Sequence, residues 1–273
     1  MRIGLLHPGQ MGAVIGAELT SAQGRAVCWA SAGRSEASGR RAKTAGLDDL
    51  GSVEALAAAC EVVLSICPPE EASAVAERVA AAGFTGTYVD ANAVAPATAR
   101  AVGERFDRFV DGGIVGPPPT DAGTTRLYLS GDEAPAVAEL FASTTVEARV
   151  VDGGAGAASA VKMCFAAWTK GTAALLLSIR ALADAEGVTD DLLGEWATSM
   201  PEMAARSEHH VRGAGPKAWR FAGEMEEIAA TFAAADLPDG FHLGAAEAYR
   251  RLAPLKGVSS PDLATAIELL RRG

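Results

Sequence analysis

The first twelve residues restrict the fold more than any other stretch. Arg2-Ile3-Gly4-Leu5-Leu6 is a short apolar run, His7-Pro8-Gly9-Gln10-Met11-Gly12 is a turn with two glycines, and an apolar-periodic segment continues through Leu19. That order predicts a buried strand, a tight turn and a helix. Such a turn aims backbone N–H groups and the positive end of a helix at one point, which suits a pyrophosphate. The dinucleotide fingerprint is G-x-G-x-x-G, and here His7 takes the place of its first glycine. Gly9 lets a phosphate approach the backbone, Gly12 lets helix and strand pack, and Pro8 presets one φ angle. His7, Pro8, Gly9, Gln10, Met11 and Gly12 are therefore the candidate cofactor turn.

A second apolar run, Ala26 to Ala30, ends in Ser31-Ala32-Gly33-Arg34-Ser35. In a dinucleotide-binding domain this position reads the adenosine ribose, and an acidic residue there holds the 2′-hydroxyl of NAD. Here Ser31, Arg34 and Ser35 offer hydroxyls and a cation instead, with Arg40 and Arg41 close behind. Cations suit a 2′-phosphate, so the expected cofactor is NADP(H).

Composition excludes several functions. The formal net charge is −10 and no dense Lys/Arg stripe occurs, so no nucleic-acid partner is expected. The four cysteines (Cys28, Cys60, Cys67 and Cys164) are scattered and lack ligand spacing, so no metal site is expected. No apolar run approaches the length of a membrane span. The chain enters a strand at once, which reads as no signal peptide, and a cytoplasmic location is expected.

Strands and helices alternate through the first half. Glu61 to Ile66 reads as a buried strand closed by Cys67-Pro68-Pro69 at the ligand edge of the sheet, so Cys67 and Pro68 should line the cofactor groove. Thr87 to Asp90 is a further strand, followed by Asn92 and a helix opened by Pro96. Phe109 to Gly116 runs from strand into glycines, where Gly113 and Val115 would face a substrate. After Asp152-Gly153-Gly154 the pattern becomes helical, beginning with a run from Ala157 to about Ala185 that would be roughly 40 Å long. The expected architecture is an α/β Rossmann domain with a mostly parallel sheet (1–152), then an all-α substrate and dimerisation domain (153–273). The long helix is apolar nearly all round, which predicts a homodimer.

Three motifs carry a resemblance: Leu6-His7-Pro8-Gly9, Lys162-Met163…Trp168-Thr169-Lys170-Gly171, and Gly240-Phe241-His242. Together they resemble the 6-phosphogluconate dehydrogenase-like / β-hydroxyacid dehydrogenase superfamily, in the branch with a DUF1932-type C-terminal domain. The resemblance covers essentially the whole chain. It implies that Lys162 matches the catalytic lysine of the interdomain helix. It implies that Asn92 replaces a hydroxyl near the nicotinamide. Val115 stands where a substrate-carboxylate serine would be, and Phe165 and Ala166 stand near the position of a missing asparagine. The late Lys-Asp pair of the family is replaced around Glu226-Glu227.

A lysine ammonium in a closed cleft can donate a proton to a carbonyl oxygen as hydride reaches its carbon. Lys162 is the catalytic candidate and Lys170, two turns on, a weaker second. Asn92, Gly113, Val115, Trp168, Lys170 and His242 are the candidate substrate contacts. The expected function is NADPH-dependent hydride transfer between nicotinamide and a small carbonyl or hydroxy compound. Imine reduction on the same architecture is one alternative, and a non-catalytic NADPH-binding sensor is another.

Overall fold

The computed structural model describes residues 1–22 and 25–272. Two compact units result, residues 1–163 and 164–273.

The first unit is built on one eight-stranded sheet. Its strands are β1 (Arg2–Leu6), β2 (Ala26–Trp29), β3 (Asp48–Asp49), β4 (Val62–Ser65), β5 (Thr87–Asp90), β6 (Phe109–Val115), β7 (Thr125–Ser130) and β8 (Val146–Val150). The order across the sheet is β3-β2-β1-β4-β5-β6-β7-β8. All pairings are parallel except β6 with β7, which is antiparallel. This unit holds the helices α1 (Gln10–Ser21), α2 (Glu36–Thr44), α3 (Val53–Ala59), α4 (Ala72–Ala81), α5 (Pro96–Gly103) and α6 (Ala134–Ala138). Strand residues alternate between two cores because successive side chains point to opposite faces. Ile3, Leu5, Leu64 and Val89 pack with α1 residues Ile15 and Leu19. Leu6, Val63 and Tyr88 pack on the other face with Leu56, Val75 and Val102.

Local chemistry explains several boundaries. Ser35 and Ser52 cap α2 and α3, accepting from the backbone N–H of Ser38 and Ala55. Pro96 opens α5, where its missing N–H costs nothing. The 29-residue helix α7 (Ala157–Ala185) begins in the first unit and carries the chain into the second. The strands end at Val150, before the expected join near Gly153, but the first turns of α7 are tied to β6 and β7 and so belong with the sheet.

The second unit continues with α8 (Thr189–Ser199), α9 (Met203–Ala214), α10 (Ala218–Ala233), α11 (Gly240–Arg251) and α12 (Leu263–Arg271). No helix among the described residues is long and apolar enough to cross a membrane. Phe165, Trp168, Leu175 and Leu182 stand exposed along α7, with Trp168 67% accessible. Their spacing of three and seven places them on one stripe of the helix.

Candidate functional site

β1 delivers the chain to the turn expected from sequence. His7 donates its N–H to the Ile66 carbonyl at 3.2 Å, and Gly9 donates to the His7 carbonyl at 2.8 Å. The second contact closes the turn on itself. A Cβ on Gly12 would stand well inside van der Waals contact with the same His7 carbonyl oxygen, so only glycine lets α1 start there. A Cβ on Gly9 would meet nothing within 4 Å. Gly9 is the N-cap of α1 and supplies no side-chain acceptor, and no acidic residue lies in the first turn. The helix therefore opens onto free space with its first N–H groups and its positive end.

Cations gather round this opening. Burial, then the charges of Arg34 and Arg78, hold the His7 imidazole down to about 4. His7 is thus neutral near pH 7 and sits in the field of two guanidinium groups. Arg41 donates from Nε to the Pro8 carbonyl at 2.9 Å and from a terminal nitrogen to Ser38 Oγ at 3.0 Å. It ties α2 to the turn. Gln10 is exposed, whereas Met11 is half-buried and packs on the core. Ser31 accepts from the Arg34 backbone N–H through its carbonyl, at 3.0 Å, and Ser35 spends its oxygen on the α2 cap. Arg34 is the residue of that trio whose charge acts on the turn.

A polar row crosses the sheet at the last residues of β4, β5 and β7 and the third residue of β6. Register places Leu6 beside Ser65, Ser65 beside Asp90, Asp90 beside Asp111, and Asp111 beside Ser130. All four polar residues are buried. Asn92 is buried as well. Its Oδ1 accepts from the Cys67 N–H at 2.6 Å, its Nδ2 donates to Ser65 Oγ at 3.2 Å, and its own N–H donates to Asp90 Oδ1 at 3.0 Å. Asn92 braces the Cys67–Pro68 loop from behind. Burial pushes the Cys67 thiol up to about 12, while Pro68 is exposed. Burial, together with the like charge of Asp111, raises the Asp90 carboxyl to about 7. Asp90 Oδ2 has no hydrogen-bond partner.

Asp111 is the best-satisfied member of the row. Its Oδ2 accepts from Ser130 Oγ (3.0 Å), Gly156 N (3.0 Å) and Ser159 N (2.9 Å), and its Oδ1 accepts from Ser159 Oγ at 2.5 Å. Ser130 Oγ accepts in turn from Ala158 N at 3.0 Å. Two residues along β6, a Cβ on Gly113 would lie 2.8 Å from the Ala158 carbonyl oxygen and 2.9 Å from Lys162 Cβ. The bare face of Gly113 is thus filled by α7, which corrects its reading as a surface left open for substrate. Val115 is also buried, a strand core residue. Lys162 is half-buried on the α7 turn directly after this anchor.

The second unit holds the other three candidates. Lys170 Nζ pairs with Glu224 at 2.8 Å, both side chains nearly enclosed, and lies 4.9 Å from the Phe221 ring centroid. Tyr249 donates its hydroxyl to the Lys170 carbonyl at 2.8 Å. His242 does not face an opening: it is buried with its ring 4.2 Å from that of Phe232, Nδ1 is unpartnered, and burial lowers its pKa. Trp168 is exposed on the α7 stripe. No cluster of three metal-binding side chains occurs among the described residues.

Sequence reasoning missed Arg78, Ser65, Ser130 and Ser159. Arg78 acts through space and leaves no local pattern. The cap on α7 had one indirect signal: the residue before this 29-residue helix is Gly156, which has no side-chain acceptor for the first N–H groups.

Comparison with known proteins agrees with this architecture. Residues 183–252 match the family described as "Domain of unknown function (DUF1932)". An uncharacterized 28.5 kDa protein of Methanothermus fervidus is 30% identical over 163 residues, 59% of this chain. The match spans 63% of that relative, a little under two thirds of its length. The 3-hydroxyisobutyrate dehydrogenase of Mycobacterium tuberculosis, solved with L-serine, superposes with a TM-score of 0.68 at 19% identity, covering 99% of both chains. A reductive aminase of Aspergillus terreus, solved with NADPH4, cyclohexanone and allyl amine, superposes with a TM-score of 0.56 at 18% identity, covering 98% of both. The two-part fold and the DUF1932 region expected from the motifs are both present.

Proposed function

From a chain with the β-hydroxyacid dehydrogenase superfamily fold and a DUF1932 region, we propose an NADPH-dependent oxidoreductase acting on a small carbonyl or hydroxy compound. The observation that carries this reading is the uncapped start of α1 at Gly9, in the field of Arg34 and Arg78. A pyrophosphate would satisfy the free N–H groups there, and Arg34 would meet the 2′-phosphate. Neutral His7 adds no charge of its own but fills the place of a glycine beside the turn. Ser31, Ser35, Cys67 and Pro68 complete the walls of this groove, with Asn92 holding Cys67 in place.

NADPH, when bound, supplies hydride to the substrate carbon. Lys162 then delivers a proton to the developing alkoxide and takes it back in the reverse direction. Trp168, Lys170 and His242 are proposed to act through the shape of the helical unit. Lys170 is committed to Glu224. Imine reduction is the second reading, favoured by Val115 where a carboxylate-binding hydroxyl would stand. A cytoplasmic homodimer is proposed, with the exposed stripe of α7 covered by a second copy.

The test is titration with NADPH and with NADH, followed by tryptophan fluorescence, on the native chain and on Arg34→Ala. Preference for NADPH by about tenfold or more, lost in the variant, is the expected result. Equal binding of both cofactors overturns the cofactor assignment. With binding established, Lys162→Ala should abolish turnover on a carbonyl and imine panel while cofactor affinity stays. Unchanged turnover would overturn Lys162 as the proton donor, and a native chain that binds NADPH but turns over nothing in the panel would leave the sensor reading in its place. Sedimentation of Leu175→Glu against the native chain checks the dimer, with a monomeric variant expected.

A further inference from the structure

The start of α7 is fastened by side chains from strands more than 20 residues away in sequence. Asp111 takes the N–H groups of Gly156 and Ser159, and the hydroxyls of Ser159 and Ser130. Ser130 takes the N–H of Ala158. The first N–H groups of a helix normally face water or a local cap. Here a buried carboxylate from β6 meets them, and its charge opposes the positive end of the helix.

Lys162 lies three residues beyond Ser159, on the same face of α7. Gly113 lies two residues beyond Asp111, on the same face of β6. The two spacings bring Lys162 Cβ over Gly113, so close that any side chain at 113 would displace it. The β6 strand thus holds α7 at two points, one before Lys162 and one beneath it. Both contacts lie wholly within the first unit.

We propose that Asp111 is a positioning residue for Lys162. It fixes the helix that presents the amine, and its negative charge favours the ammonium form. This rests on the reading of Lys162 as proton donor. A simple structural cap would affect only the order of the first helical turn. A positioning carboxylate also affects the chemistry of the amine.

The experiment needs no substrate. The full chain is labelled with acetic anhydride over a range of pH, and acetylation of Lys162 is followed by mass spectrometry, with Lys170 as internal reference. Hydrogen exchange of residues 156–162 and NADPH affinity are measured in parallel. Asp111→Asn keeps the shape of the group but replaces one acceptor oxygen with an NH2 donor facing N–H and O–H donors. It should accelerate exchange of those amides by about tenfold, consistent with loss of a helix cap. It should also lower the pH midpoint of Lys162 labelling by about half a unit to one unit, because an anion near the amine is lost. The Lys170 midpoint and NADPH affinity should stay unchanged. Faster exchange with an unmoved Lys162 midpoint overturns the proposal and leaves a structural cap.

Ser159→Ala provides the milder variant should Asp111→Asn fail to fold. It removes one of four bonds and leaves the carboxylate. Lys162 labelling at pH 8, relative to Lys170, should then rise about twofold as the turn loosens. No change in that ratio overturns positioning. If the Lys162 midpoint shifts in Asp111→Asn while Lys162→Ala keeps full turnover, Asp111 positions the amine but the proton-donor reading is wrong. The two failures are therefore distinguishable.

Discussion

Two helices start at the same edge of one sheet, and their N-termini are treated in opposite ways. α1 begins at Gly9 with no side-chain cap, no acid in its first turn and open space before it. α7 begins at Gly156 with a buried carboxylate and a serine hydroxyl spent on its first amides. Both helices present the same N–H groups and the same dipole. The difference shows that a helix start stays open when a cap is withheld and is fixed when one is supplied. Around α1 the charges are cationic and partly accessible; around α7 they are acidic and buried. One edge thus divides into a half left open and a half that anchors the helix bearing Lys162.

The largest expected effect lies in the geometry of the open half. Gly12→Ala places a methyl group against the His7 carbonyl, a backbone atom that cannot swing away. It should cost about 3 kcal/mol in urea denaturation and abolish NADPH binding. Stability within about 0.5 kcal/mol of the native chain would refute the close approach at this turn.

The buried half should respond to pH. The Asp90 carboxyl is raised to about 7 in the folded chain. Its stabilising contribution is therefore complete below about pH 4, the unfolded value, and is lost as pH rises through 7. Asp90→Asn keeps the oxygen that accepts from Asn92 and removes the charge. It should stabilise the protein at pH 8 by about 2–3 kcal/mol and do little at pH 4. Equal stability of the two proteins at pH 8 would show that Asp90 carries no such penalty.

His7 should show the opposite slope. Its pKa is lowered from 6.5 to about 4, so the unfolded chain binds the extra proton between these values and stability falls as pH drops through that window. Asp90 acts in the other direction over part of the same range, so the measurement belongs in the Asp90→Asn background. There, His7→Asn should remove a decline of about 1–2 kcal/mol between pH 6.5 and 4. A decline of the same size in both chains would assign it elsewhere.

The smallest change in stability sharpens the comparison most. Gly9→Ala meets no atom within 4 Å and needs no left-handed backbone, so stability should stay within about 0.5 kcal/mol. The added methyl group nevertheless occupies the space in front of α1. NADPH affinity should fall about tenfold, measured by fluorescence titration. Unaltered affinity would place the pyrophosphate elsewhere.

Local patterns made much of this legible. Pro96 announced the start of a helix. Gly46 and Gly83 follow the ends of α2 and α4, and both have positive φ. The 29-residue helix matched its sequence bounds at both ends, because no proline or strand signal interrupts it. Site residues were harder. Asn92 was placed at the right loop, but its amide was read as facing a ligand when it bonds to Ser65 and Cys67. Gly113 was read as making room for substrate, when the room is taken by Lys162 Cβ and the Ala158 carbonyl. His242 was read as a substrate contact, when it lies buried against Phe232. In each case the residue type revealed that something must come close, and the contact partner lay far off in sequence.

The sequence by itself determined the alternation of strands and helices, the tight glycine turn, the long helix and the absence of a local cap on it. These follow from periodicity, φ restrictions and short-range hydrogen bonding, all of which act over a few residues. Tertiary structure decided which half of the sheet edge stayed open and which was filled. Asp111 caps α7 across 45 and 48 positions in the chain. Arg78 reaches His7 through its field and not through any contact in sequence. A carboxylate's effect depends on distance and burial, and both are fixed only when the strands have paired.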